Sequence, residues 1–192
     1  MEVGLSDVCA AQFALRSVAR ETPLEHTSSL GRMAGNHLHL KLENLQKNGS
    51  FKIRGAYNAI RLLSKEQRDR GIVTFSAGNW SQGVAYACRL LGRRATVVMP
   101  EGAPLSKVSA TKGYGAEVIQ HGRDSTELWE RASALQRERG LTFLHAFDNP
   151  AMIAGHGTVA LEILQQKPDV DAIVVPVGGG GCRRGSASPP RL

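Results

Sequence analysis

The chain has 192 residues and a globular composition, 42% hydrophobic and 21% charged, which excludes a disordered chain; its net charge of +7 owes three positive charges to Arg183, Arg184 and Arg191, so no nucleic-acid partner is expected. Cys9, Cys88 and Cys182 lie far apart without CxxC spacing, a pattern that suggests neither a disulfide framework nor a thiolate zinc site and fits a reducing cytoplasm. No run approaches the roughly 18 apolar residues of a membrane span, and the N-terminus lacks a basic flank before an apolar stretch, so no membrane and no export are expected.

In chain order, residues 6–18 are amphipathic and predict a helix. Residues 37–43 alternate apolar and polar side chains, as a strand with one buried face does. After a turn-rich loop at 44–50, Ile53, Ala56, Tyr57, Ile60 and Leu63 recur at helical spacing, with Ser50 as candidate N-cap and Lys52 in the first turn. Strand and helix then alternate: 72–76 with 81–91, 95–99 with 106–112, 117–120 with 125–139, and 141–145 with 151–165, followed by a strand at 172–177. Repeated βα units with short apolar strands predict an α/β fold whose sheet is parallel and helix-covered. Beyond 177 the chain reads Gly178-Gly179-Gly180-Gly181, where a helix should follow, yet small polar residues and Pro189-Pro190 are expected not to sustain one.

Several residues carry chemistry. Four glycines after a strand let backbone N–H groups approach a phosphate, although alone they fit a flexible linker as well; their place after an apolar strand favours the phosphate. Lys52 stands at a loop-to-helix junction, where partial desolvation would make its amine nucleophilic, although most lysines so placed are solvated charges. Ser76-Ala77-Gly78-Asn79 joins a strand to a helix and offers free N–H donors to an anion, or simple N-capping. His37 and His39 share a strand face without an identifiable third ligand, His26, His121 and His145 are isolated, and Asp148 reads as structural, so no metal is expected.

Six motifs in order carry a resemblance. Ser-Phe-Lys-Ile-Arg-Gly-Ala at 50–56, Ser-Ala-Gly-Asn at 76–79 with Gln82-Gly83, Met99-Pro100…Ala103-Pro104…Lys107, Tyr114-Gly115-Ala116-Glu117, Ile153-Ala154-Gly155…Gly157-Thr158…Leu161-Glu162, and Pro176-Val177 before the four glycines resemble fold-type II pyridoxal-phosphate enzymes, most of all the threonine/serine dehydratase and serine racemase branch. The resemblance implies a two-domain α/β fold with mostly parallel sheets: residues 1–70 and 147–181 in a large domain left incomplete, 71–146 in a small domain, and 182–192 a tail unlike the family. It implies that Lys52 binds pyridoxal 5'-phosphate as a Schiff base with Phe51 near the ring, that Asn79 meets the ring hydroxyl, and that Gly178, Gly179, Gly180 and Gly181 take the phosphate. Ser76, Gly78, Asn79 and the backbone of Trp80 would take the carboxylate of L-threonine or L-serine, and the reaction would be α,β-elimination to a 2-oxo acid and ammonia.

Ala77 stands where the racemase pattern has a serine base, which favours dehydration, because a methyl group cannot exchange a proton. Trp80, His156 and Cys182 depart from the family pattern, and Trp80 puts the substrate pocket in doubt. Family members continue past the glycines and are expected to form homo-oligomers. In this chain the apolar faces of Ile173–Val177 and of the 151–165 helix are expected to lack part of their cover, and turnover is expected to be poor. A nicotinamide-binding alternative lacks an early GxGxxG turn; a non-catalytic fragment is the other alternative.

Overall fold

The computed structural model of the chain describes residues 3–187. The first helix, α1 (Leu5–Leu15), buries Val8, Ala11 and Leu15, the three and four spacing of one helical face. A small antiparallel ribbon follows, in which β1 (Leu24–His26) pairs with β2 (His39–Lys41) around α2 (Ser28–Ala34). The strand expected over 37–43 is therefore three residues long and belongs outside the parallel sheet. α3 (Lys52–Leu62) and the short α4 (Lys65–Asp69) lead into the main sheet.

That sheet has four parallel strands in the order β5-β4-β3-β6, with β3 at Ile72–Phe75, β4 at Ala95–Met99, β5 at Glu117–Gln120 and β6 at Thr142–Phe143. The connecting helices are α5 (Asn79–Leu90), α6 (Leu105–Gly113) and α7 (Ser125–Arg139). Alternate strand residues serve opposite faces: Ile72, Val97 and Met99 join the core with α3 and α5, while Val73 and Val98 pack on Leu128, Ala132 and Leu135 of α7. Helices on both faces leave the inner strands no solvated side, which is why they read as continuous apolar runs.

α8 (Pro150–Gln166) is the central helix of the remaining layer. Asn149 Oδ1 accepts the Met152 N–H at 3.0 Å and Pro150 occupies the first turn, a strong start signal. Every residue from Met152 to Ala160 is buried. The partial loss of cover expected for this helix is confined to its ends and to the half-buried Leu161 and Leu164, because α1, α3 and the short α9 (Gly181–Ser186) pack against it. The crossing with α3 is tight enough that a Cβ on Gly155 would come within 2.5 Å of the Arg54 carbonyl oxygen.

Two expectations near the C-terminus fail. Residues 172–177 form no strand, and Val174 is 95% exposed; no backbone among the described residues offers them a ladder, and an extended segment without one is not a strand. Conversely, α9 does form after the glycines, closing before Pro189-Pro190, which lie outside the described residues.

Candidate active site

Lys52 opens α3, and the packing of α3 on α5 fixes where its side chain begins. A Cβ on Gly83 would come within 3.1 Å of the Lys52 carbonyl carbon and 3.2 Å of its Cβ, so only a residue without a side chain lets the two helix starts approach this closely. Phe51, already in helical conformation and accepting the Arg54 N–H at 3.0 Å, holds the N-cap position expected of Ser50, whose Oγ lies 3.4 Å from the Lys52 nitrogen.

The Lys52 amine sits between two aromatic rings, 4.8 Å from the centroid of Phe51 and 6.0 Å from that of Trp80. Burial lowers its pKa from the ordinary lysine value, with the nearby Cys182 sulfur opposing the shift. The neutral amine, the nucleophilic form, is thereby favoured. Behind Phe51 lies His156, its ring edge-on at 4.8 Å, wholly buried, with neither ring nitrogen hydrogen-bonded among the described residues. Burial, and then the charges of Lys52 and Arg54, hold His156 well below the ordinary imidazole range, so the ring is neutral.

Ser76 to Asn79 leave the carboxyl end of β3, the end at which parallel sheets present ligands. Ser76 donates its N–H to the Val98 carbonyl at 3.0 Å, Gly78 donates to Ser76 Oγ at 3.2 Å, and the Ser81 hydroxyl donates to the Gly78 carbonyl. Ala77 is exposed. Asn79 is the first residue of α5, and its Oδ1 accepts a hydrogen bond from Lys107 Nζ at 2.7 Å. Trp80 is only 3% exposed: its indole donates to Thr74 Oγ1 at 2.9 Å, and that hydroxyl donates to the Leu144 carbonyl at 2.8 Å. The bulk that put the pocket in doubt is anchored in the core.

Of the glycine run, Gly178 and Gly179 are exposed, Gly180 is left-handed at φ 82°, and Gly181 is buried at the head of α9. A Cβ on Gly179 would overlap the Phe147 ring at 2.3 Å, and one on Gly181 would meet His156 Nδ1 at 3.5 Å. Through His156 the run is tied to Phe51 and Lys52, and Gly179 lies against Phe147. The Phe147 turn is itself held: His145 Nδ1 accepts the N–H groups of Phe147 and Asp148 at 3.3 and 3.0 Å, and Arg184 of α9 donates to the Phe147 carbonyl at 2.8 Å. Asp148 lies 3.6 Å from Arg184, in keeping with a structural part.

Below the site, Arg54 is 1% exposed and binds Glu43 and Glu162 through bonds of 2.6 to 2.9 Å, with Thr158 Oγ1 and the Arg20 carbonyl taking further N–H groups. Burial opposes its charge, and the bonds to Glu43 and Glu162 outweigh that, so its pKa is raised. This network fastens the turn after Lys52 to α8. Sequence reasoning quoted Arg54 and Lys107 within motifs but gave neither a part, and it passed over Phe147. The usable signals were a cation at position 54 amid apolar positions and a lysine three residues after Pro104.

Elsewhere, His39 pairs edge-on with His26 at 5.3 Å, and His37 precedes β2. Among the described residues no group of three or more His, Cys, Asp or Glu side chains is placed to hold a metal, and no helix is long and apolar enough to cross a membrane.

A desolvated primary amine beside an aromatic ring, an amide at the head of a helix and a glycine run suit a ligand bearing an aldehyde, a ring hydroxyl and a phosphate. Comparison with known proteins gives the family. The chain is 50% identical over 179 residues to the L-threonine ammonia-lyase of Thermotoga maritima, covering 93% of this chain and 45% of that protein. Among solved structures, maize serine racemase superposes with a TM-score of 0.94 at 37% identity, over 98% of this chain and 57% of that one. The processed form of threonine deaminase isoform 2 from Solanum lycopersicum gives 0.89 at 38% identity, over 98% and 54%. The chain thus spans about half the length of the relatives it matches. Residues 15–189 match the pyridoxal-phosphate dependent enzyme family, and the chain belongs to that family.

Proposed function

We propose that these residues serve a pyridoxal-phosphate-dependent ammonia-lyase acting on L-threonine or L-serine, whose overall reaction gives a 2-oxo acid and ammonia. The observation that carries the reading is the desolvated Lys52 amine between Phe51 and Trp80, beside the loop from Ser76 to Asn79. When bound, the cofactor supplies the electron sink that makes the substrate Cα proton acidic. Lys52 Nζ, whose neutral fraction is raised by burial, anchors the cofactor and then serves as the base that takes that proton. Asn79 holds the ring hydroxyl, and the N–H groups of Gly178, Gly179, Gly180 and Gly181 hold the phosphate, with Phe147 bracing the run at Gly179. Ser76, Gly78, Asn79 and the Trp80 backbone orient the substrate carboxylate at the head of α5.

Racemisation is the competing reading, since the maize neighbour is a serine racemase. It needs a second proton carrier on the opposite substrate face, and Ala77 has none. Three free cysteines fit a reducing cytoplasm, and the family resemblance supports a homo-oligomer. Turnover by residues 1–192 is expected to be low, because 172–177, which lead into the glycines, join no strand and leave the exposed Gly178 to be ordered on binding. With saturating cofactor, L-threonine should give 2-oxobutanoate, and L-serine should give pyruvate with little D-serine. Ala77→Ser should raise the D-serine fraction, whereas D-serine as the main product of the unsubstituted chain would overturn the lyase reading.

A further inference from the structure

Lys107 stands in the first turn of α6, its N–H donating to the Pro104 carbonyl at 2.9 Å and its carbonyl accepting from Thr111 Oγ1 at 2.8 Å. Its side chain is half-buried and reaches across to α5, where Nζ meets Asn79 Oδ1 at 2.7 Å. An ammonium group has donors only, so it fixes which way the Asn79 amide faces. The oxygen is held toward α6, and the NH2 group, with two donors, is left as the free end.

We infer that Lys107 is a positioning residue that locks the Asn79 amide so that its NH2 group meets the cofactor's ring oxygen. The inference rests on the proposed cofactor site and adds a residue to which no role had been given. A ring hydroxyl oxygen, and more so its ionised form, accepts hydrogen bonds. Asn79 helps only when its donors point inward, and a flipped amide would present oxygen to oxygen. Without a partner on Oδ1, the exposed Asn79 side chain samples both faces. The same geometry gives a reason for the segment from Met99 to Lys107: β4 ends at Met99, Pro104 sets the start of α6, and the lysine one turn in arrives opposite the first residue of α5.

The test compares the unsubstituted 192-residue chain with Lys107→Met, Lys107→Arg, Asn79→Ala and the Asn79→Ala/Lys107→Met double variant, by absorbance titration with pyridoxal 5'-phosphate and by the side-chain amide resonances of Asn79 in the cofactor-free protein. Lys107→Met should weaken cofactor binding about tenfold, the worth of one charge-assisted hydrogen bond. It should also shift the Asn79 side-chain resonances before any cofactor is added, a change that a merely structural lysine would not cause. Lys107→Arg, which keeps a donor, should recover most of the affinity, and Lys107→Met should cost nothing further once Asn79 is alanine. Full additivity of the two substitutions, or unchanged affinity and resonances in Lys107→Met, overturns the inference while leaving the cofactor reading intact. No cofactor uptake by the unsubstituted chain overturns the cofactor reading, and this inference with it.

Discussion

At Lys52 the decisive quantity is the cost of carrying charge on a buried amine. Burial lowers the amine's pKa, so the neutral fraction rises at a lower pH than for a solvated lysine, whose pKa is about 10.4. Reaction with a simple aldehyde at a pH of about 8 to 9 should therefore modify Lys52 ahead of exposed lysines. Peptide mapping after brief labelling checks this, and uniform labelling of all lysines contradicts it. His156 makes the complementary case. Its ring stays neutral in the fold while the unfolded chain takes up a proton below about pH 6.5, so stability is full above that pH and falls as pH drops. The loss is at most about 1.4 kcal/mol per pH unit from this one group. His156→Gln should flatten the urea-unfolding free energy between about pH 6.5 and 5 by part of that slope; an unchanged slope would show that the ring protonates equally well in both states.

At the scale of elements, the placement of Lys52 depends on how α3 is held to its neighbours. Arg54 joins α3 to α8 through Glu162 and to the segment before Lys52 through Glu43, and Lys41 adds a second cation to Glu162 at 2.7 Å. Arg54→Met preserves much of the volume but leaves Glu43 and part of Glu162 facing a site without their main partner, which should cost about 3–5 kcal/mol in chemical denaturation. A loss under about 1 kcal/mol would mean that water reaches both carboxylates and that the network holds little. Much of this framework was legible in the sequence. The strands expected at 95–99 and 117–120 and the helix expected at 125–139 end where β4, β5 and α7 end, and at 95–99, where every residue is buried, local pattern and tertiary burial agree. α4 carried a readable capping box, Ser64 with Gln67, that was passed over. β1 was not legible, since three residues become a strand only because β2 lies beside them. For the same reason 172–177 could not be read correctly: strand-like composition does not supply a partner. Lys52, Asn79 and the glycine run were visible through motifs, whereas the contacts of Lys107, Phe147 and Arg54 join segments far apart in the chain, so the motifs that hold Arg54 and Lys107 do not name their partners.

At the scale of the molecule, two layers meet at the site: the parallel sheet with its helices brings Ser76 to Asn79, and the layer of α1, α3, α8 and α9 brings Lys52, His156 and the glycine run. Within residues 3–187, α8 is buried from Met152 to Ala160 and half-buried at Leu161 and Leu164. The uncovered part is 172–177, with Val174 and Val177 exposed, immediately before the glycines. The central claim is that Lys52 in this chain is the attachment point for pyridoxal 5'-phosphate. Incubation with the cofactor, borohydride reduction and mapping of the labelled peptide tests it most directly. The account predicts one covalent label on Lys52 and none in a folded Lys52→Ala variant, and equal labelling of that variant, or label spread over other lysines, would contradict it.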